Sequence, residues 1–122
     1  MDNMRFMIAQ GSTPRIELLL PFELKNRYVV FVTFEQKRNA VLEYGLGFQP
    51  SPEIAGEGTL SVDPDDKSML VLNMTQQDTL SLIPCDIEMQ VRVKTDDGAD
   101  TFLPIPGHVI KAIKGGVIDW RA

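Results

Sequence analysis

The segment MTQQDTLSLIPCDIEMQVRVKT, residues 74–95, constrains the fold more than any other part of this chain. In its second half Ile87, Met89, Val91 and Val93 alternate without a break with Glu88, Gln90, Arg92 and Lys94. Successive side chains of an extended strand face opposite ways, so this run describes a β-strand with one buried and one wet face. The first half reads as a helix start. Thr75 is the N-cap, and Asp78, three residues on, brings a carboxylate to the positive end of the turn. Asp96-Asp97-Gly98 then supplies a tight turn, with Asp97-Gly98 as the hairpin signal. A short helical crossover feeding a long alternating strand is how a sandwich passes its chain from one sheet to the other.

The rest of the chain fits the same pattern. Residues 5–10 read as a short strand with Phe6 and Ile8 inward, and residues 15–20 as a second, with Ile16, Leu18 and Leu20 on one face. Residues 28–34, YVVFVTF, are apolar on both faces. Such a strand is either central with both faces covered, or presents its outer face to another chain. Lys37-Arg38-Asn39 turns the chain into a strand over 40–46 carrying Leu42, Tyr44 and Leu46. The outer face of this pair, with Val29, Phe31, Leu42 and Tyr44, is the expected subunit interface; the alternative is cover by the chain's own loops.

Residues 47–58 form a loop rich in Pro and Gly, pinned to the body by Phe48 and Ile54. A hairpin around residues 63–66 follows, in which Leu70, Leu72 and Met74 share a face. After residue 101, Pro104, Pro106 and Gly107 predict an edge strand with a bulge, resuming through Val109, Ile110 and Ile113. About eight short strands with one helical turn near 75–82 make an all-β fold: an immunoglobulin-like, antiparallel Greek-key β-sandwich over residues 1–116, closed by Gly115-Gly116, with a tail at 117–122.

Bulk properties narrow the function. At 122 residues the chain makes one domain, and 43% apolar with 24% charged residues is ordinary for a globular protein. A net charge of -5, with Lys37-Arg38 the only adjacent basic pair, argues against nucleic acid. The N-terminal stretch has an acid at position 2 and no long apolar core, so no signal peptide is expected, and no apolar run is long enough to span a bilayer. The single cysteine, Cys85, rules out an internal disulfide and fits synthesis in a reducing cytoplasm. It reads as a semi-buried packing residue, since the only histidine, His108, is not placed as its base.

No catalytic constellation, cofactor or metal is expected. Asp63, Asp65 and Asp66 fail the calcium-loop pattern, because Lys67 occupies a ligand position; they and Asp96, Asp97 and Asp100 read as solvated turns, with a marginal calcium site built from both groups as the alternative. One His and one Cys do not make a zinc site, and the glycine pairs match no phosphate-binding loop. Trp120, Tyr28 and Tyr44 are the candidates for an aromatic sugar platform, with packing of Trp120 back onto the sandwich as the plainer reading.

Five stretches, in order along nearly the whole chain, resemble a family. They are Gln10-Gly-Ser-Thr-Pro14, Val32-Thr-Phe-Glu-Gln36, the run from Leu72 through TQQDTL to Leu80, the alternating strand with Asp97-Gly98, and His108-Val-Ile with Gly115-Gly116-Val-Ile118. The family is the small immunoglobulin-like proteins encoded among tail genes of phages and prophages of Gram-positive bacteria, similar to the N-terminal domain of baseplate upper proteins. Those proteins continue into a linker and a C-terminal domain that holds the receptor-binding protein, so the resemblance covers the docking module. It implies a non-enzymatic structural protein of a tail or baseplate, made in the bacterial cytoplasm. Its partners would be other tail and baseplate proteins, or a second copy in a homo-oligomer. Thr75, Asp78, Asp97 and Gly98 would then be architectural. A host-surface carbohydrate-binding module of the same particle and a cytoplasmic assembly factor are the other expectations.

Overall fold

The computed structural model describes residues 6–24, 28–95, 98–101 and 104–111. The expectations placed on Asp97, Ile113, the closing glycines and Trp120 lie outside those residues. Among the described residues the order is β1 (Phe6–Ala9), β2 (Arg15–Leu19), β3 (Tyr28–Gln36), β4 (Asn39–Leu46), β5 (Thr59–Asp63), β6 (Asp66–Asn73), α1 (Gln76–Leu80), β7 (Asp86–Thr95), β8 (Gly98–Thr101) and β9 (Ile105–Ile110). No helix among them is long and apolar enough to cross a membrane.

The strands form two sheets. One runs β1-β9-β7-β3-β4, with β8 also paired to β7; the other runs β2-β6-β5. Their inner faces meet in one core that includes Ile8, Leu18, Val30, Val32, Phe34, Leu70, Leu72, Ile87, Met89, Val91, Val93 and Val109. The alternation read along residues 87–94 is therefore real: the apolar members of β7 are buried, and Glu88, Arg92 and Lys94 are exposed. The crossover α1 leaves β6 in the small sheet and delivers the chain to β7 in the large one. The layout is an immunoglobulin-like sandwich of the variable type, with β4 as the extra strand beyond β3.

The return strand differs from expectation. β9 is not an edge: it pairs antiparallel with β7 and parallel with β1, from Phe6↔Gly107 to Ala9↔Ile110. Pro106 stands opposite Glu88 of β7, one residue before the first described pair with β1, Phe6↔Gly107. The stretch where the irregularity is expected, between β8 and β9, includes residues 102 and 103, which lie outside the described residues. β8 pairs with β7 as far as Arg92↔Thr101 and β9 resumes at Met89↔Ile105, which leaves one residue more on the return chain than on β7.

A bulge decides what faces the core. The turn at Lys37 and Arg38 pairs Gln36 with Asn39 and Glu35 with Ala40, but the register then shifts so that Phe34 faces Leu42. Val41 is the extra residue. In an unshifted register Val41 and Glu43 would share a face with Phe34 and Val32; after the shift Leu42 and Tyr44 do. They are 5% and 3% exposed. Two members of the expected interface, Leu42 and Tyr44, therefore belong to the interior.

Candidate interaction surface

The crossover is held by side chains that reach out of it. Thr75 caps α1, and with Asp78 it completes a capping box: the Asp78 N–H donates to Thr75 Oγ1 at 3.1 Å, and the Thr75 N–H to Asp78 Oδ2 at 3.4 Å. Glu and Gln are the usual residues at the third helical position. The shorter Asp78 makes only this long bond to the cap and turns most of its capacity elsewhere. Its Oδ2 also accepts from the Tyr44 hydroxyl at 2.7 Å and the Gly58 N–H at 2.9 Å, and its Oδ1 from the Glu57 N–H at 2.8 Å. One carboxylate, 3% exposed, thus ties α1 to β4 of the large sheet and to the chain entering β5 of the small sheet.

Burial pushes the Asp78 carboxyl upward. The donors from Glu57, Tyr44, Gly58 and Thr75 outweigh it and hold the group below the ordinary carboxylate range. Burial, followed by the hydrogen bond to Asp78 and its charge, pushes the Tyr44 phenol far above its usual value, so it remains a donor.

Neighbouring groups complete the clamp. Thr79, fully buried, accepts from the Gly11 N–H at 3.0 Å and donates to the Ser12 carbonyl at 2.8 Å, which fixes the β1–β2 connection. Gln36 at the end of β3 grips Ile83 from both sides, donating to its carbonyl at 2.8 Å and accepting from its N–H at 3.1 Å. Among the described residues no buried side-chain polar atom lacks a partner. The capping pair was readable from spacing. The donors from Glu57, Gly58 and Tyr44 were not, because nothing local signals a bond spanning 20 to 34 residues.

The outer face of the large sheet is the remaining surface of interest. Phe31 does not lie bare: the ring of Phe48, from the loop after β4, rests 4.1 Å from it, centroid to centroid. Gly45 stands opposite Phe31 on β4, and a Cβ there would fall 2.4 Å from the Phe48 ring, so the glycine makes room for that cover. The same loop seals part of the β4 edge, where the Glu43 N–H donates to the Ile54 carbonyl at 2.7 Å and the Gly56 N–H to the Glu43 carbonyl at 3.0 Å. Of the expected interface, Val29 and Phe31 are on the outer face and half-buried, with Phe31 covered by the chain's own loop.

The other singled-out residues have local roles. Lys37 and Arg38 adopt φ of 51° and 67°, as a primed two-residue hairpin turn requires. Gly98 opens β8 opposite Thr95. Asp63 accepts from the Asp65 N–H at 2.8 Å, and Asp66 from the Ser68 hydroxyl and N–H, which draw its carboxyl below its usual range. Half-buried Cys85 receives the Gln36 amide at 3.5 Å, while the His108 ring meets Asp86 at 3.2 Å on the surface. Among the described residues no three or more His, Cys, Asp or Glu side chains gather as metal ligands.

Sheet order, crossover and core together define an immunoglobulin-like β-sandwich domain of variable-type layout. No family model and no curated protein matches the sequence. Among solved structures the chain is similar to the NK cell receptor Nkp44, described as a triggering partner in natural cytotoxicity. The identity is 10%, over 92% of this chain and 100% of that one, with a TM-score of 0.55. That likeness is one of fold. The ZIG-8–RIG-5 IG1-IG1 heterodimer (12% identity, 89% and 83% covered, TM-score 0.47) and the first Ig-like domain of human CD48 antigen (18%, 95% and 88%, 0.40) are below the level that would add to it.

Proposed function

We propose that this chain is a non-enzymatic structural protein of a phage or prophage tail or baseplate, acting through protein–protein contacts. The carrying observation is the role of TQQDTL, the stretch most like that family. Thr75, Asp78 and Thr79 all act inside the crossover clamp, so the signature describes architecture and not chemistry. The titratable groups singled out in the sequence have structural partners. Asp78 is enclosed by structural donors, and neither Cys85 nor His108 has the other as a hydrogen-bond partner. The test is mass spectrometry of particles purified from an induced lysogen, read beside the genes flanking this one. Stoichiometric presence in the particle supports the reading; presence in the lysate but not in the particle sinks it.

A second reading, a carbohydrate-binding module, has one observation in its favour. At the end of the sandwich near the β2–β3 connection and the β5–β6 turn, a cleft of about 620 Å³ is lined by Tyr28, Leu24, Val62 and Pro64 together with Glu23, Asp63 and Lys67. An aromatic ring beside carboxylates and an ammonium suits a sugar, with CH groups on the ring and hydroxyls on the charges. Buried Tyr44 leaves this reading; Tyr28 stays in it. Saccharide-induced NMR shifts confined to the cleft would favour it, and a silent glycan array with no shifts would remove it.

A further inference from the structure

The outward-facing residues of β7 read Asp86, Glu88, Gln90, Arg92, Lys94: two acids, a neutral amide, two bases. A merely solvated strand mixes its signs, because like neighbours repel. Here they are segregated, and of the five only Asp86 has an ion-pair partner on an adjacent strand, His108 of β9. Glu88 stands directly opposite Glu35 of β3, Arg92 opposite Phe31, and Lys94 opposite Val29. On the other side Arg92 faces Thr101 and Lys94 faces Ala99. Among the described residues the ion pairs are Arg15 with Glu17 and Asp86 with His108, neither involving Glu35, Glu88, Arg92 or Lys94.

The pattern is antisymmetric about Gln90, which makes it complementary to itself. A two-fold axis lying in the plane of contact, across the strands at Gln90, sets a second β7 antiparallel over the first. Glu88 then meets Arg92 of the second copy and Asp86 meets its Lys94, each contact occurring twice. Relief follows the same symmetry. The Phe48 ring stands over Phe31, beside Arg92, at the basic end. The acidic end is hollowed by a cavity of about 290 Å³ among Glu35, Asp86, Ile87 and Glu88, which Lys37 and Arg38 of the turn also border. The axis brings the raised end of one copy over the hollow end of the other.

We propose that the outer face of β7 is a self-association surface whose occupant is a second copy of this chain, packed antiparallel with Glu88 against Arg92 of its mate. Size sets the strength. Outward positions along a strand recur every ~6.8 Å and strands lie ~4.8 Å apart, so five positions across four strands cover roughly 500 Å² per copy. The total of about 1,000 Å² is at the lower limit for a specific interface, so a weak dimer is expected. Because its contacts are exposed charges, added salt loosens it. Face-to-face sheets cross at about 30°, which splays the outer pairs and makes Glu88–Arg92 the closer contact.

The proposal rests on the sandwich and its charges, and not on the particle assignment. Sedimentation equilibrium of the full chain up to about 1 mM, in about 0.05 M and about 0.5 M salt, reads the association directly. The wild type is expected to dimerise at low salt and to dissociate at high salt. E88R and R92E each place like charges together twice and should weaken the dimer about tenfold or more. E88R/R92E exchanges the two signs, keeps the wild-type net charge, and should restore a salt-sensitive dimer. Both substituted residues, Glu88 and Arg92, are exposed, and circular dichroism is the check that each variant is folded. A monomeric wild type at low salt, single reversals that still dimerise, or a folded double exchange that stays monomeric would each overturn the proposal. None of these outcomes bears on incorporation into a particle, which has its own measurement.

Discussion

Replacing Asp78 by asparagine isolates the charge at the centre of the crossover with little change of shape. The carboxylate accepts four donors: Glu57 N–H on Oδ1, and Tyr44 O–H, Gly58 N–H and the more distant Thr75 N–H on Oδ2. Asparagine offers one oxygen. Its better orientation keeps that oxygen at the Oδ2 position and sets the NH₂ against the Glu57 N–H, donor facing donor. One buried N–H left without an acceptor costs about 1–3 kcal/mol. The remaining short bonds fall from charge-assisted to neutral strength, roughly halving each. A loss of about 2–4 kcal/mol follows, a large fraction of the 5–15 kcal/mol that holds a typical domain together. Tyr44→Phe removes one donor only and should cost about 1.5–3 kcal/mol.

The pH dependence carries the sharper test. The folded Asp78 carboxyl is held below its unfolded value of about 3.9, so its contribution is fully present above that pH and is lost as pH falls through the folded value. The asparagine variant has no such contribution to lose. Urea unfolding followed by far-ultraviolet circular dichroism should therefore show a gap between the two proteins that is widest at neutral pH and narrows as acid is added. A gap below about 0.5 kcal/mol at neutral pH, or one that stays constant into acid, would refute the assignment of Asp78 as an ionised clamp.

Three further changes probe the surroundings. Lys37→Asn with Arg38→Gly suits the positive φ of both turn residues and should raise stability by about 1 kcal/mol, seen as a higher urea midpoint at unchanged slope. Gly58→Ala places a Cβ 1.9 Å from the Asn73 carbonyl oxygen, where backbone cannot yield cheaply; a loss of about 1–3 kcal/mol is expected in thermal melts. Phe48→Ala uncovers Phe31 and removes a ring pair worth about 0.5–1.5 kcal/mol beyond its area, with increased binding of an apolar dye as the second readout.

Sequence reasoning succeeded where the physics is local. The two-residue period along residues 87–94 required only the pleat, and the Thr75–Asp78 spacing only the geometry of a first helical turn. It failed where one residue of register decides a face. The bulge at Val41 turns Leu42 and Tyr44 inward, and no composition marks it. Pro106 suggested an edge because proline lacks a donor, yet β9 lies between β7 and β1. The parallel β1–β9 pair joins strands from opposite ends of the described chain, beyond the reach of any short motif. At the candidate surface Val29 and Phe31 do face outward, as their alternation predicts, whereas alternation alone gives a wet face to β7 and is silent on the order of its charges.

Antibody variable domains join their two sheets with a disulfide across the core, and so need an oxidant to be completed. This sandwich has one cysteine, and the strap between its sheets is an ionised carboxylate on the crossover, bound on either side by hydrogen bonds. Such a fastening is made of hydrogen bonds alone and requires no enzyme to form or reshuffle it. Glutathione and thioredoxin have no bond there to cut. Acid can still release it, because the first proton to reach Asp78 removes the charge that four donors converge on.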